Sequence, residues 1–255
     1  MLTLERQTEI LEYLKQKKTA TVRELAARLY VSDATIRRDL GEMETLGLLR
    51  RSHGGAVLLE RNRDEFSALV RMEQNTNAKR IMSELAIPHL EDCTSVWMDS
   101  SSTIHTLSTV WKPARKNIFT TGIQTALELS KLPDVQVIMP GGLLKFHTNS
   151  LEGELTAEQM RSFFADAMIC SCGGVSLDGE VTESTLSQCT IKQSMMKQSR
   201  RRILMVDHSK IGERRAFRTA SLRDFDLLIC DRKPSDEFLA CCRACNIRPV
   251  YRETY

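Results

Sequence analysis

No stretch of about 18 or more consecutive apolar residues occurs in the 255-residue chain, so the hydropathy of a membrane-spanning helix is missing. The N-terminus, Met1-Leu-Thr-Leu-Glu-Arg6, is amphipathic from its first turn and lacks a signal-peptide pattern; a cytoplasmic chain with no membrane partner is expected. A large net charge is absent too. The 36 Lys and Arg face 33 Asp and Glu, a formal +3, so the chain as a whole is no polyelectrolyte binder, and affinity for an anionic partner must come from local placement. The eight cysteines form neither a disulfide framework nor a zinc pattern. Cys242-Arg-Ala-Cys245 has no second pair and no histidine cluster to complete four ligands. Phe238, Cys241, Cys242 and Cys245 fall instead at i, i+3, i+4 and i+7, the spacing of a helix that buries small apolar side chains on one face. No metal and no cofactor is expected.

What the chain does have is a basic excess in one place. Between Lys15 and Arg51 nine Lys or Arg face five Asp or Glu, a balance above that of the whole chain. An amphipathic helix is predicted from about Leu4 to Lys15, with Ile10, Leu11 and Leu14 as its apolar stripe. Thr21-Val-Arg-Glu24 is a capping box that opens a second helix, turning Leu25 and Leu29 inward. Tyr30 and Val31 make a turn, Ser32 caps a third helix whose Ile36, Leu40 and Met43 face the first two, and Gly47 ends it. Residues 48–51 and 56–59 are β-prone arms around His53-Gly54-Gly55, the composition of a two-stranded wing. Residues 1–59 thus read as a winged helix-turn-helix, with the helix-turn-helix at about 20–39.

Hydroxyls and paired arginines at the start of an amphipathic helix suit an anionic partner, and duplex DNA is the commonest. Arg37 and Arg38 diverge by about 100 degrees around the helix, so both cannot face the core side that Ile36 defines. An arginine paired to a guanine edge contributes about 1–3 kcal/mol of discrimination, whereas the same group on a phosphate adds affinity without sequence preference. Ser32, Asp33 and Thr35 stand at the helix start, where hydroxyls and free amides suit a phosphate or base edge, although Asp33 and Asp39 read equally well as capping or ion-pair residues. Arg50, Arg51 and His53 belong to the wing. Thr21 and Arg23, at the start of the second helix, complete the candidate DNA-contacting set. A solvated basic face is the plainer account of any one of these, but not of capped helix, turn, capped helix and basic wing in succession.

Residues 60–76 are polar and charged and read as a linker, with a short helix around Phe66 to Met72; residues 77–255 form the second domain. There strand candidates at 95–98, 117–120, 135–139, 167–171, 203–206, 227–230 and 248–251 alternate with helical stretches at 104–110, 125–132, 155–164, 190–199 and 236–245. Such alternation predicts an α/β fold with a mainly parallel sheet, helices on both faces, and ligand sites at the carboxyl ends of the strands.

Arg6, Ile10 and Leu14, Ser32 with Thr35-Ile36-Arg37-Arg38-Asp39-Leu40, Leu46-Gly47, and Arg51-Ser-His53-Gly54-Gly55-Ala56 resemble the N-terminal signature of the DeoR family of bacterial transcriptional regulators. The second half resembles that family's sugar-phosphate sensor domain through Asp99-Ser-Ser-Ser102-Thr103, Thr120-Thr121-Gly122, Pro140-Gly141-Gly142, Gly173-Gly174-Val175-Ser176 and Asp207-His-Ser-Lys210. The resemblance covers nearly the whole chain. It departs at Ser101, where the family commonly has Gly, and at Gln188, where it commonly has an acid, and both differences bear on effector choice.

Each of these loops follows a predicted strand. Asp99, Ser100, Ser102 and Thr103 converge at a helix start, which suits a phosphate, and Thr121 and Gly122 add donors. Gly141 and Gly142 either let backbone approach a ligand or simply make a turn. The resemblance implies that Lys210 faces a phosphate or sugar oxygen, with Glu183 and Lys192 as weaker candidates nearby. It further implies a repressor of a carbohydrate-metabolism operon, released from a double-stranded DNA operator by a phosphorylated sugar. A homodimer or higher even oligomer is expected, since two-fold symmetry matches paired half-sites. Two alternatives stand beside it. One is an isomerase-like enzyme with a DNA-binding domain, for which Asp99, His105, His147, Glu152 and Asp207 are the titratable candidates without assignable acid and base roles. The other is a DNA-binding protein whose second domain only oligomerises.

Overall fold

A computed structural model describes residues 3–45, 48–52, 54–58, 68–145 and 148–253. The chain divides into two compact units, Met1–Arg71 and Met72–Tyr255. The smaller contains α1 (Thr3–Lys17), β1 (Thr19–Thr21), α2 (Val22–Leu29), α3 (Asp33–Thr45), β2 (Leu49–Ser52) and β3 (Gly55–Leu58). Its apolar stripes meet in one core, where Ile10, Leu14, Leu25, Ile36, Leu40 and Met43 are fully buried. The capping box of α2 is formed in both directions between Thr21 and Glu24, and Tyr30 closes the helix in the left-handed conformation, turning the chain into α3. The third strand, β1, is unexpected: it pairs with β3, giving an antiparallel sheet in the order β1-β3-β2. A Cβ on Gly55 would lie 2.1 Å from the Ala20 carbonyl oxygen, so only glycine permits that pairing. The expected end of α3 at Gly47 lies outside the described residues. Within the expected linker, residues 68–73 form α4 (Ala68–Glu73), and the rest of its predicted short helix lies outside them.

The larger unit runs α5 (Thr76–Ala86), β4 (Ser95–Met98), α6 (Ser102–Val110), β5 (Lys116–Thr120), α7 (Ile123–Leu129), β6 (Val135–Ile138), β7 (Leu143–Lys145), β8 (Ser150–Glu152), α8 (Glu154–Met160), β9 (Ala165–Cys170), β10 (Gly174–Val175), β11 (Glu180–Glu183), α9 (Leu186–Lys197), β12 (Ser199–Val206), β13 (Phe217–Ser221), β14 (Leu227–Cys230), α10 (Asp236–Ala244) and β15 (Pro249–Val250). A seven-stranded sheet in the order β15-β14-β12-β9-β4-β5-β6 is parallel throughout. Alternate side chains along each strand feed two cores. Val96, Met98, Ile169 and Met205 pack with Met82, Ile104 and Leu107 from α5 and α6. Trp97, Met168 and Leu204 pack with Met160, Ile191, Met195 and Phe238 from α8, α9 and α10. Helices therefore cover both faces, as a parallel sheet requires.

Several features differ from the sequence reading, α5 among them, since no helix is expected in the second domain ahead of the strand at 95–98. The helix expected at 190–199 is displaced: α9 starts at Leu186, and Ser199 already belongs to β12. That strand looks polar at first because Arg201 reaches Asp92, at 2.8 Å, while the Arg202 amide donates to Asp226 at the same distance. The hydrophobic pattern begins only at Ile203. A small hairpin of β7 and β8, and an antiparallel sheet of β10, β11 and β13, were not anticipated.

Candidate functional site

In the smaller unit α3 is capped by Ser32, whose Oγ accepts the Thr35 amide at 3.2 Å and sits 2.9 Å from the Thr35 hydroxyl. Ser32, Asp33, Arg37 and Arg38 are exposed and Thr35 is half-buried, so the first two turns of α3 present hydroxyls and guanidinium groups outward. Asp33, in the first turn, complements the helix dipole. Arg50 and Arg51 are exposed on β2. The Arg51 amide donates to Glu44 Oε1 at 2.8 Å, which brings the wing against α3, and Arg37 and Arg51 line one groove between them. Thr21 is spent on its cap, accepting the Glu24 amide and bonding the Glu24 carboxylate, while Arg23 is exposed. Asp39 does not face the groove. It is buried and held by Arg6, Nε to Oδ2 at 2.5 Å and a terminal nitrogen to Oδ1 at 3.0 Å, an ion pair that pins α1 to α3. His53 lies outside the described residues.

In the larger unit the parallel strands bring Asp99, Thr121, Ser171, Asp207 and Asp231 to one edge, each directly after a strand end. The chain order reverses between the neighbours β4 and β9: β5 and β6 continue to one side, β12, β14 and β15 to the other. That is the topological switch point, where an open parallel sheet leaves a crevice for ligand. Asp99 stands at it. Its Oδ1 accepts the Ser101 amide at 2.9 Å and hydroxyl at 2.6 Å; its Oδ2 accepts the Ser171 amide at 3.1 Å and lies 3.2 Å from Lys192 Nζ. Lys192 also pairs with Glu183, and all three groups are buried. Burial works against the Lys192 ammonium, yet Glu183 and Asp99 outweigh it and hold its pKa above the ordinary lysine range. Lys192 and Glu183 thus brace Asp99 from below.

Lys210 is the more open cation of this edge. It donates to Ser171 Oγ at 3.0 Å and lies 3.6 Å from Asp207 Oδ2. Thr103 and Thr121 carry buried hydroxyls with no hydrogen-bond partner among the described residues, while Ser102 is buried and Ser100 half-buried where α6 begins. A Cβ on Gly122 would stand 2.8 Å from Ser100 Cα, so the glycine is what lets the two loops meet. Gly141 and Gly142 face α8. The Gly141 amide donates to Gln159 Oε1 at 2.7 Å, its carbonyl accepts from Thr156 at 2.9 Å, and a Cβ on Gly142, whose φ is +148°, would fall 1.8 Å from Thr156 Oγ1. Packing within the protein accounts for both glycines.

Sequence reasoning did not single out Ser171, although it follows a strand just as Asp99 does. It also missed the partners of Glu152, whose Oε1 accepts from Thr148 and Ser150 at 2.8 Å and from the Gln188 amide. Burial raises the Glu152 pKa, but the hydroxyls of Ser187, Ser150 and Thr148 and the Gln188 amide more than offset this and hold it below its usual value. Of the other proton-transfer candidates, Asp99 spends both oxygens on Ser101 and Ser171, Asp207 holds Ser209 with one oxygen and faces Lys210 with the other, burial lowers the pKa of His105, and His147 lies outside the described residues. Phe238, Cys242 and Cys245 are buried as the helical spacing implies, and burial pushes the Cys242 thiol up to about 12, far from a reactive thiolate. Among the described residues no helix is long and apolar enough to cross a membrane, and no group of His, Cys, Asp or Glu is arranged to hold a metal.

Comparison with known proteins finds two family models. Residues 6–62 match the DeoR-like helix-turn-helix domain and residues 74–232 the DeoR C-terminal sensor domain. The HTH-type transcriptional regulator GolR of Listeria innocua is 30% identical over 91% of this chain and 92% of its own. The HTH-type transcriptional repressor GlcR of Bacillus subtilis is 29% identical over 92% and 90%, and the L-fucose operon activator of Haemophilus influenzae 28% identical over 94% and 97%.

Proposed function

Since the chain belongs to the DeoR family of DNA-binding transcriptional regulators and is not an enzyme, we propose that it represses a carbohydrate-metabolism operon and leaves its operator when a phosphorylated sugar binds the larger unit. The observation that carries the ligand half of this reading is that Lys210 and Asp99 both reach Ser171 at the switch-point edge, while Thr103 and Thr121, in the segments that follow β4 and β5, carry buried hydroxyls without partners among the described residues. Buried hydroxyls without partners cost free energy, and phosphate or sugar oxygens would satisfy them. On the DNA side, Arg37 and Arg38 enter the major groove with the hydroxyls of Ser32 and Thr35 beside a phosphate and Asp33 toward a base edge, Arg50, Arg51 and His53 contact the backbone from the wing, and Thr21 and Arg23 flank them. A relative named as a repressor supports that sign of control, while another is named as an activator. The protein acts in the cytoplasm as a homodimer or higher even oligomer on paired half-sites. Release requires only that the ligand bind more tightly to the state in which the recognition helices are misplaced.

Gel-shift titration against the chain's own upstream region tests the DNA half: Arg37→Ala weakens binding about 5- to 150-fold, the equivalent of one lost guanine pairing at about 1–3 kcal/mol. Unchanged binding overturns the assignment of α3. For the ligand half, ribose 5-phosphate, glucose 6-phosphate, fructose 6-phosphate, fructose 1-phosphate and tagatose 6-phosphate are screened by thermal shift, where a ligand at 100 times its Kd adds about 2.7 kcal/mol of stability. A silent screen would favour an oligomerisation unit without sensing.

A further inference from the structure

Asn75 stands one residue before α5 and two after α4, at the entry of the chain into the larger unit. It takes a left-handed conformation, φ +52°, and although it occupies the cap position its side chain makes no cap to the helix. The amide group turns away instead and donates to Asp207 Oδ1 at 3.1 Å and Ser209 Oγ at 3.0 Å, residues more than 130 positions later. Asp207 is buried and divides its two oxygens. Oδ1 takes Asn75 and both the amide and the hydroxyl of Ser209; Oδ2 has no hydrogen-bond partner among the described residues and faces Lys210 Nζ at 3.6 Å. Burial raises the Asp207 pKa, but Lys210 first, then Ser209, hold it below the usual carboxylate value. Between these two residues His208 is pinned from the far side, its amide and Nδ1 each 2.8 Å from Asp231. The loop 207–210 therefore has one fixed point, one end on the entering chain and one end, Lys210, at the switch-point crevice.

We propose that the Asn75–Asp207 contact is the coupling element of the protein: drawing Lys210 toward an anion in the crevice frees Asp207 to reorient and releases the entry to α5. This rests on the phosphorylated-ligand reading for its trigger, but the coupling itself is a property of Lys210, Asp207 and Asn75. When Lys210 withdraws, the buried Oδ2 is left without cation or donor, the carboxylate turns to bring that oxygen to a donor, and the turn takes Oδ1 away from Asn75, its tie to the chain leading from the DNA-binding unit. Asn75 acts here as a positioning residue and touches no ligand.

Hydrogen exchange of the full-length protein at amides 79–82, beginning with Lys79, whose amide donates to the Asn75 carbonyl at 3.0 Å, tests this with Lys210→Met as a ligand-free mimic of a withdrawn cation. The substitution is expected to speed exchange about fivefold or more, the lower end of ordinary coupling between sites. In an Asn75→Asp or Asn75→Gly background, both compatible with the left-handed backbone, the same substitution should change exchange less than about twofold. An equal effect of Lys210→Met in all three backgrounds, or none in the wild type, overturns the proposal. Inorganic phosphate and the five phosphosugars are then added to wild type and Asn75→Asp: a compound that shifts the melting of both but alters exchange only in wild type supports the coupling, and one that alters exchange equally in both overturns it. If no compound shifts wild-type melting while the Lys210–Asn75 dependence holds, the coupling stands and the sugar-phosphate reading is what fails.

Discussion

The smaller unit keeps its working charges in solvent and its structural one out of sight: Arg37, Arg38, Arg50 and Arg51 are exposed, whereas Asp39 is buried against Arg6. In the larger unit the same division fails. Asp99, Glu183 and Lys192 are sequestered together beneath the crevice, and Asp99 is at once a candidate ligand group and the acceptor that ties the β4 and β9 loops. An exposed basic surface can thus be altered without disturbing its scaffold, while a sheet edge built from buried polar groups makes the candidate site and the fold share residues. Loss of function in the two units consequently means different things.

The contrast is put most severely by Lys192→Met, which strands two buried carboxylates without a cation. It should cost about 3–5 kcal/mol in urea unfolding of the larger unit; a loss below about 1 kcal/mol, as for an exposed pair, would erase the distinction. Acid provides the next test. Asp207 and Glu152 both titrate below their usual values, so the stability they contribute is complete above the unfolded carboxylate pKa and is lost as pH falls through the depressed folded values. Melting of the larger unit should accordingly fall as the pH drops below about 4, and Glu152→Gln should flatten that fall. An unaltered pH profile in the variant would show that the Glu152 cluster adds nothing to folding. The smallest effect belongs to Arg38→Ala: unfolding should stay within about 0.5 kcal/mol of wild type while DNA binding weakens, and a larger loss of stability would break the comparison from the other side.

How much was legible in the sequence follows the same divide. The helices of the smaller unit and the seven strands of the parallel sheet declare themselves because their side chains alternate or repeat against a core: Ile36, Leu40 and Met43 on α3, or Val96 and Met98 against Trp97 on β4. The strands outside that sheet, such as Gly174–Val175 and Glu180–Glu183, carry too few apolar side chains to show such a run. β10 and β11 exist because Gly174 and Thr182 meet across a turn, and β11 pairs with residues more than 30 positions later, which composition cannot register. Exposed arginines could be named from spacing, but their groove partner, Arg51 beside Glu44, required the wing to be folded back. In the larger unit the loops after the strands could be named in advance, yet the partition of Asp99 between Ser101, Ser171 and Lys192, and the turn of Asn75 toward Asp207, depend on residues from up to 132 positions apart.

The pairing of β1 with β3 through Gly55 carries a consequence for scale. Residues 19–21 lead straight into α2, Thr21 pairs with Gly55 and the Val22 amide donates to the Gly54 carbonyl, so the wing is stitched beside its turn to the helix that precedes α3. Helix and wing then travel as one ruler of fixed graduation, unable to slide apart to suit a longer or shorter site. On duplex DNA, where each base pair adds about 3.4 Å along a strand, such a ruler would span a fixed number of base pairs.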